Sequence, residues 1–120
     1  MNSIPEKYRN DISIIRETAK QISRDFNIDG FEVIFSGDDK NAFEEFKQQI
    51  SPVLINIYKS DRHAFQSLLY RIDVNERDYK NVLSNSNEFE TELTELVIRR
   101  EFQKVLTRKY FSSKEKWSLF

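Results

Sequence analysis

The sequence predicts a mainly α fold, a compact bundle of about five helices with one short extended segment near residues 31–35. Three observations carry that expectation. Apolar residues recur at spacings of three and four along most of the chain. Two Gly and two Pro in 120 residues leave little material for tight turns. One stretch, Glu88–Tyr110, contains neither residue and is built mostly from good helix formers.

Ser3 and Glu6 have the spacing of a capping box, and Pro5 falls in the first turn, where its missing N–H does no harm. Tyr8, Ile12, Ile15, Ala19, Ile22 and Phe26 follow at alternating steps of four and three, which predicts one amphipathic helix over about 4–26. Ile14 lies off that stripe, exposed or at an interface. Asn27-Ile-Asp-Gly30 supplies the stop, and Gly30 can take the left-handed conformation that a helix end or turn often needs. Phe31–Phe35 is aromatic and β-branched, so it reads as a strand. A single strand cannot satisfy its own backbone, and no second strong strand is in sight. It therefore pairs with a twin across a dimer axis, lies extended in the core, or is not a strand.

Asp38 or Asp39 can cap the next helix, over about 39–59, whose stripe is Phe43, Phe46, Ile50, Val53, Leu54 and Ile57. The stripe keeps phase across Pro52, which predicts a kink and not a break. A shorter helix over about 61–72 buries Phe65, Leu68, Leu69 and Ile72. Another over about 76–83, capped by Asn75, turns Tyr79, Val82 and Leu83 inward. Asn87 and Glu90 then start the long last helix, which at helical rise extends about 33 Å. Residues 1–111 form one helical domain. Residues 112–120 form a tail too apolar to be solvated throughout, with Trp117, Leu119 and Phe120 expected to dock on the domain or on a neighbour.

The last helix has two unusual properties. Acids fill its first half and bases its second, which complements the helix dipole and also suits an antiparallel copy of itself. Its apolar stripe also changes sides. With Leu93 at zero and about 100° per residue, Phe89, Leu93, Leu96 and Val97 share one azimuth, while Ile98, Phe102, Val105 and Leu106 share the opposite one. Either different layers of one domain cover the two halves, or a second chain covers one of them. The second covering is the expectation adopted, with Ile98, Phe102, Val105, Leu106 and Trp117 as the interaction surface of a homodimer.

Composition sets the remaining bounds. The absence of cysteine removes disulfides, thiolate metal sites and cysteine nucleophiles, and fits a reducing compartment. No apolar run is long enough to cross a bilayer, and the N-terminus is charged where a secretion signal needs an apolar core. A cytoplasmic location is expected. Residues 99–120 carry seven bases against two acids, a net +5 that leaves −6 for residues 1–98. Arg99, Arg100, Lys104, Arg108 and Lys109 thus form a candidate basic patch for an acidic protein partner.

Catalytic chemistry has little to work with. His63 is the only histidine, at the start of a helix beside Asp61 and Arg62, and reads as exposed or capping. The P-loop, HExxH and GxGxxG patterns are absent. Asp38 and Asp39, with Glu44 and Glu45 a turn later, could serve a Mg²⁺ site but more simply cap a helix and face solvent. No metal, cofactor or catalytic residue is expected. The expected function is a non-enzymatic interaction or assembly module acting as a homodimer. The alternative is a nucleic-acid accessory protein that uses the basic last helix, whose bases mix with Tyr110, Phe111 and Trp117.

Overall fold

The computed structural model describes residues 4, 6–85 and 87–110. Among them are six helices: α1 (Glu6–Arg9), α2 (Ile12–Asp25), α3 (Ala42–Ser60), α4 (Arg62–Arg71), α5 (Glu76–Asn85) and α6 (Phe89–Tyr110). A short 3₁₀ turn, Asp39–Asn41, leads into α3. Helix α6 packs against α2, α3 and α5, and α3 also meets α2 and α4. The mainly helical architecture read from the sequence is the one observed. The expected cap at Ser3 and the tail 112–120, with Trp117, lie outside the described residues.

The first expected helix is two. It breaks at Asn10 because two side chains there have other partners. Asn10 Oδ1 accepts the backbone N–H of Phe43 at 2.9 Å, capping the start of α3 from 33 residues away. Asp11 then caps α2 by accepting from Ile14 N at 3.2 Å. Ile14, expected off the buried stripe, is fully buried beside Ile15, so α2 buries a wider face than its stripe implies.

Helix α2 closes at the start of the expected stop, with Asn27 in the left-handed region at φ 55°, and Gly30 follows at φ 73°. Ile28 N donates to Ser23 O at 2.8 Å and Asn27 N to Arg24 O at 3.3 Å, the paired bonds of a Schellman end. The same device ends α4, with Asp73 at φ 67°, Val74 N on Leu69 O and Asp73 N on Tyr70 O. Asn and Asp tolerate this conformation better than other side chains, which is why short polar residues stand at both positions.

Helix α3 runs through Pro52 without interruption, and Phe43, Phe46, Ile50 and Leu54 are buried as expected. On α5, Tyr79 and Val82 face the core, but Leu83 does not: it is 41% exposed.

Residues 31–35 form no strand among the described residues. The Gln49 side chain of α3 takes the place of a neighbouring strand. Its Oε1 accepts from Ile34 N at 2.8 Å, and its Nε2 donates to Ile34 O at 2.8 Å and to Glu45 O at 2.9 Å. Glu45 Oε1 accepts from Ser36 N at 3.1 Å. One amide reaches both backbone groups of Ile34 because an extended residue presents them on the same edge. Val33 turns into the core, and Ile34 turns out and is 77% exposed.

Replacing Gln49 with Ala should leave the helices intact and release this segment. The expected signature is faster hydrogen exchange at the Ile34 amide, with a stability loss of about 1 kcal/mol because water can replace the lost bonds. Unchanged exchange at Ile34 would mean that Val33 burial alone holds the segment.

Candidate interaction surface

The apolar residues assigned to a second chain are inside this one. Ile98, Phe102 and Leu106 are 0% exposed and Val105 is 1%. Phe102 meets Phe43 of α3 edge-on at 6.5 Å between ring centres. Helix α6 changes its buried side because different neighbours cover its two halves within one domain, so these four residues offer no free surface to a partner.

The five bases do not gather into one patch. At about 100° per residue, Arg100, Lys104 and Arg108 share a sector, while Arg99 and Lys109 point elsewhere. Arg100 Nε donates to Ile72 O at 2.8 Å, neutralising the end of α4, and its guanidinium lies 3.9 Å from Asp73. Arg108 donates to Gln21 Oε1 at 2.8 Å. Lys109 Nζ lies 3.4 Å from Ser13 Oγ. Arg99 lines a groove of about 310 Å³ with Asp73, Asp78 and Gln103.

Lys104 belongs to the most unusual group of side chains in the molecule. Its Nζ lies 2.7 Å from Asp25 Oδ2 of α2 and 3.1 Å from Glu101 Oε1. Gln21 Nε2 donates to Asp25 and, through Oε1, accepts from Arg24 and Arg108. Glu101 is fully buried, and neither of its oxygens has an aligned hydrogen bond. Burial pushes the Glu101 pKa up to about 8, with the facing Asp25 carboxylate adding to the rise and Lys104 opposing it. Burial also acts to raise the Asp25 pKa, but bonds from Glu101, Lys104 and Gln21 outweigh it and hold Asp25 below its ordinary value. One proton on Glu101, turned toward Asp25, satisfies the pair.

An accessible groove of about 280 Å³ with aromatic residues in its lining lies between α4 and α5. His63, Gln66, Tyr70, Val74, Glu76 and Tyr79 line it. Asp61 caps α4 through Ala64 N at 3.0 Å, Asn75 caps α5 through Arg77 N at 2.8 Å, and the chain turns between the two helices at Asp73. Tyr70 stands at the rim and is 88% exposed, far more than an aromatic side chain usually is. Leu83 follows Glu76 and Tyr79 on the same face of α5. Tyr70 was readable from the sequence as the one aromatic off the stripe of Phe65, Leu68, Leu69 and Ile72.

A larger open groove, about 500 Å³, lies between α3 and the start of α6. Its two lysines are already paired, Lys47 with Glu44 and Glu95, and Lys59 with Glu90. Asp38 caps the 3₁₀ turn by accepting from Lys40 N, Asp39 is exposed in that turn, and His63 is exposed on α4. Among the described residues no three His, Asp or Glu side chains are placed to hold a metal ion, and no helix is long and apolar enough to cross a membrane. Comparison with protein-family models, curated proteins and solved structures finds no match.

The Glu101 site makes stability depend on pH. Its pKa is about 4.5 unfolded and about 8 folded, so its favourable contribution is complete below pH 4.5 and is lost as pH rises toward 8. Glu101→Gln keeps the neutral shape at every pH. Its melting temperature should match the wild type near pH 5 and exceed it increasingly toward pH 8. A constant difference across that range would show that Glu101 does not titrate there.

Proposed function

We propose that this chain is a non-enzymatic interaction and assembly module that self-associates, and that the contact runs through the α4–α5 face. The observation that carries this reading is the aromatic-lined groove with Tyr70 exposed at its rim. Exposed aromatics that border a formed groove are the usual anchors of protein interfaces. The occupant is a second copy because the face is complementary to itself in charge. Helix α4 carries Arg62 and Arg71 and no acid, while α5 balances Glu76 and Asp78 against Arg77 and Lys80, with Glu76 paired to Lys80 at 3.0 Å, so Asp78 is the acid that meets a partner's α4. A two-fold axis that lays α4 of one copy against α5 of the other brings unlike charges together twice.

The non-enzymatic part of the reading is supported by where the titratable groups lie. The most perturbed one, Glu101, is fully buried, while Asp38 serves as a cap. A cytoplasmic site of action is supported by a sequence without cysteine. The nucleic-acid reading draws less support, since Arg100, Lys104 and Arg108 are each held by acceptors inside the fold.

Light scattering on a sizing column, at two protein concentrations, tests the proposal. The expected mass is near twice 14.4 kDa at the higher concentration. Tyr70→Glu should return the protein to a monomer without changing its helical circular dichroism. A wild-type monomer at both concentrations, or a dimer indifferent to Tyr70→Glu, would refute it.

A further inference from the structure

The α4–α5 face carries both a recess and a side chain that stands clear of it. Leu69, Val74 and Tyr79 supply the apolar lining of the groove, and Glu76 lines it from α5. Tyr70 borders the same groove, yet it is 88% exposed, so its ring projects outward and does not fill the space beside it. No other large apolar side chain among the described residues is as exposed. Helix geometry accounts for this. His63, Gln66, Ser67 and Tyr70 recur at helical spacing along the outer face of α4, while Phe65 and Leu69 take the inner face. Helix α4 ends at Arg71, so Tyr70 is the last member of the outer row and no later turn packs beside it.

We propose, on the premise that the chain self-associates through this face, that Tyr70 of each copy inserts into the groove of the other, so that the contact is a reciprocal exchange of one aromatic side chain. In a two-fold contact the same patch serves both partners, so it must hold a projecting part and a recess that accepts it. This face holds both. The groove, of about 280 Å³, has room for one ring against Leu69, Val74 and Tyr79. A buried phenol needs a partner for its O–H. Glu76 supplies the acceptor: Lys80 holds its Oε1 at 3.0 Å, which leaves the second carboxylate oxygen for the incoming hydroxyl. The charges agree with the same alignment. Arg71 follows Tyr70 and is exposed, so insertion also carries a cation toward the acidic first turn of the partner's α5. Buried aromatic anchors seated in such recesses carry most of the energy of an interface, and the flat contacts around them carry little.

Mixing two variants tests the exchange. Tyr70→Ala keeps the groove and lacks the anchor. Ser67→Phe keeps the anchor and fills the groove from its own wall; Ser67 is exposed, so the core is untouched, and circular dichroism checks both variants. Alone, each should dimerise at least about thirtyfold more weakly than the wild type, the loss typical of a central aromatic anchor. Mixed in equal amounts, they should form a heterodimer, read by native mass spectrometry as a species of summed mass, because one anchor then meets one open groove. Tyr70→Phe and Glu76→Ala should each weaken the dimer about tenfold, the loss of a hydrogen bond to a carboxylate, and the double variant should lose no more than either alone. A monomeric wild type would overturn the self-association reading and the exchange with it. A wild-type dimer whose two variants give no heterodimer on mixing, or a Ser67→Phe dimer as tight as the wild type, would overturn the exchange alone and leave self-association in place.

Discussion

The structure depends on one constraint: α6 is enclosed by its neighbours along both halves of its length. A helix packed on one side needs one apolar stripe. Helix α6 carries two, and it satisfies both by passing between α2, α3 and α5, so that Leu93, Val97, Ile98, Phe102 and Leu106 are all fully buried. Each of these residues removes apolar surface worth about 1.5–3 kcal/mol, which makes α6 the main source of cohesion. Enclosure also limits what α6 can do. Its polar residues must find partners inside the domain, as Thr94 does with Ser51 Oγ at 2.9 Å and Glu90 O at 2.8 Å.

Glu101 is the residue for which enclosure is hardest to satisfy. Its position falls in the buried sector of the second half of α6, opposite Asp25 of α2. Two carboxylates and one ammonium cannot all stay charged there at low dielectric, so the proton on Glu101 completes the packing. An apolar residue of similar size would close the same gap with less electrostatic conflict. The cluster does fix the register of α2 against α6, because Lys104 reaches Asp25 and Arg108 reaches Gln21 in only one alignment.

How much of this was legible in the sequence follows from the range of each interaction. The periodic stripes of α2 and α3, the caps at Asp38 and Asn75, and the exposed His63 are local features, and local spacing revealed them. The failures are all long-range. The side chain of Asn10 ends α1 because it is needed at Phe43, and nothing near Asn10 announces that. Gln49 satisfies Ile34 from 15 residues away, so an apparently orphaned strand needed no second strand. The side-switching of α6 was visible, but its cause, three covering helices or a second chain, is a tertiary fact. Tyr70 could have been found, because an aromatic residue outside a stripe is a local observation.

The charge asymmetry of the sequence illustrates the same point about function. A net +5 over residues 99–120 suggests a surface that attracts acidic partners. The fold places Lys104 between Asp25 and Glu101, Arg100 on the end of α4, and Arg108 on Gln21. Asp25 offsets the charge of Lys104, while Arg100 and Arg108 meet neutral acceptors and keep theirs, so the fold spreads the positive charge of α6 over several sectors and does not gather it into one patch. What stays open is of a different kind: the Tyr70 rim of the groove between α4 and α5. Recognition at such places works by shape, apolar contact and hydrogen bonding at short range. Arg100, Lys104 and Arg108 of α6 hold the framework that keeps that rim in position.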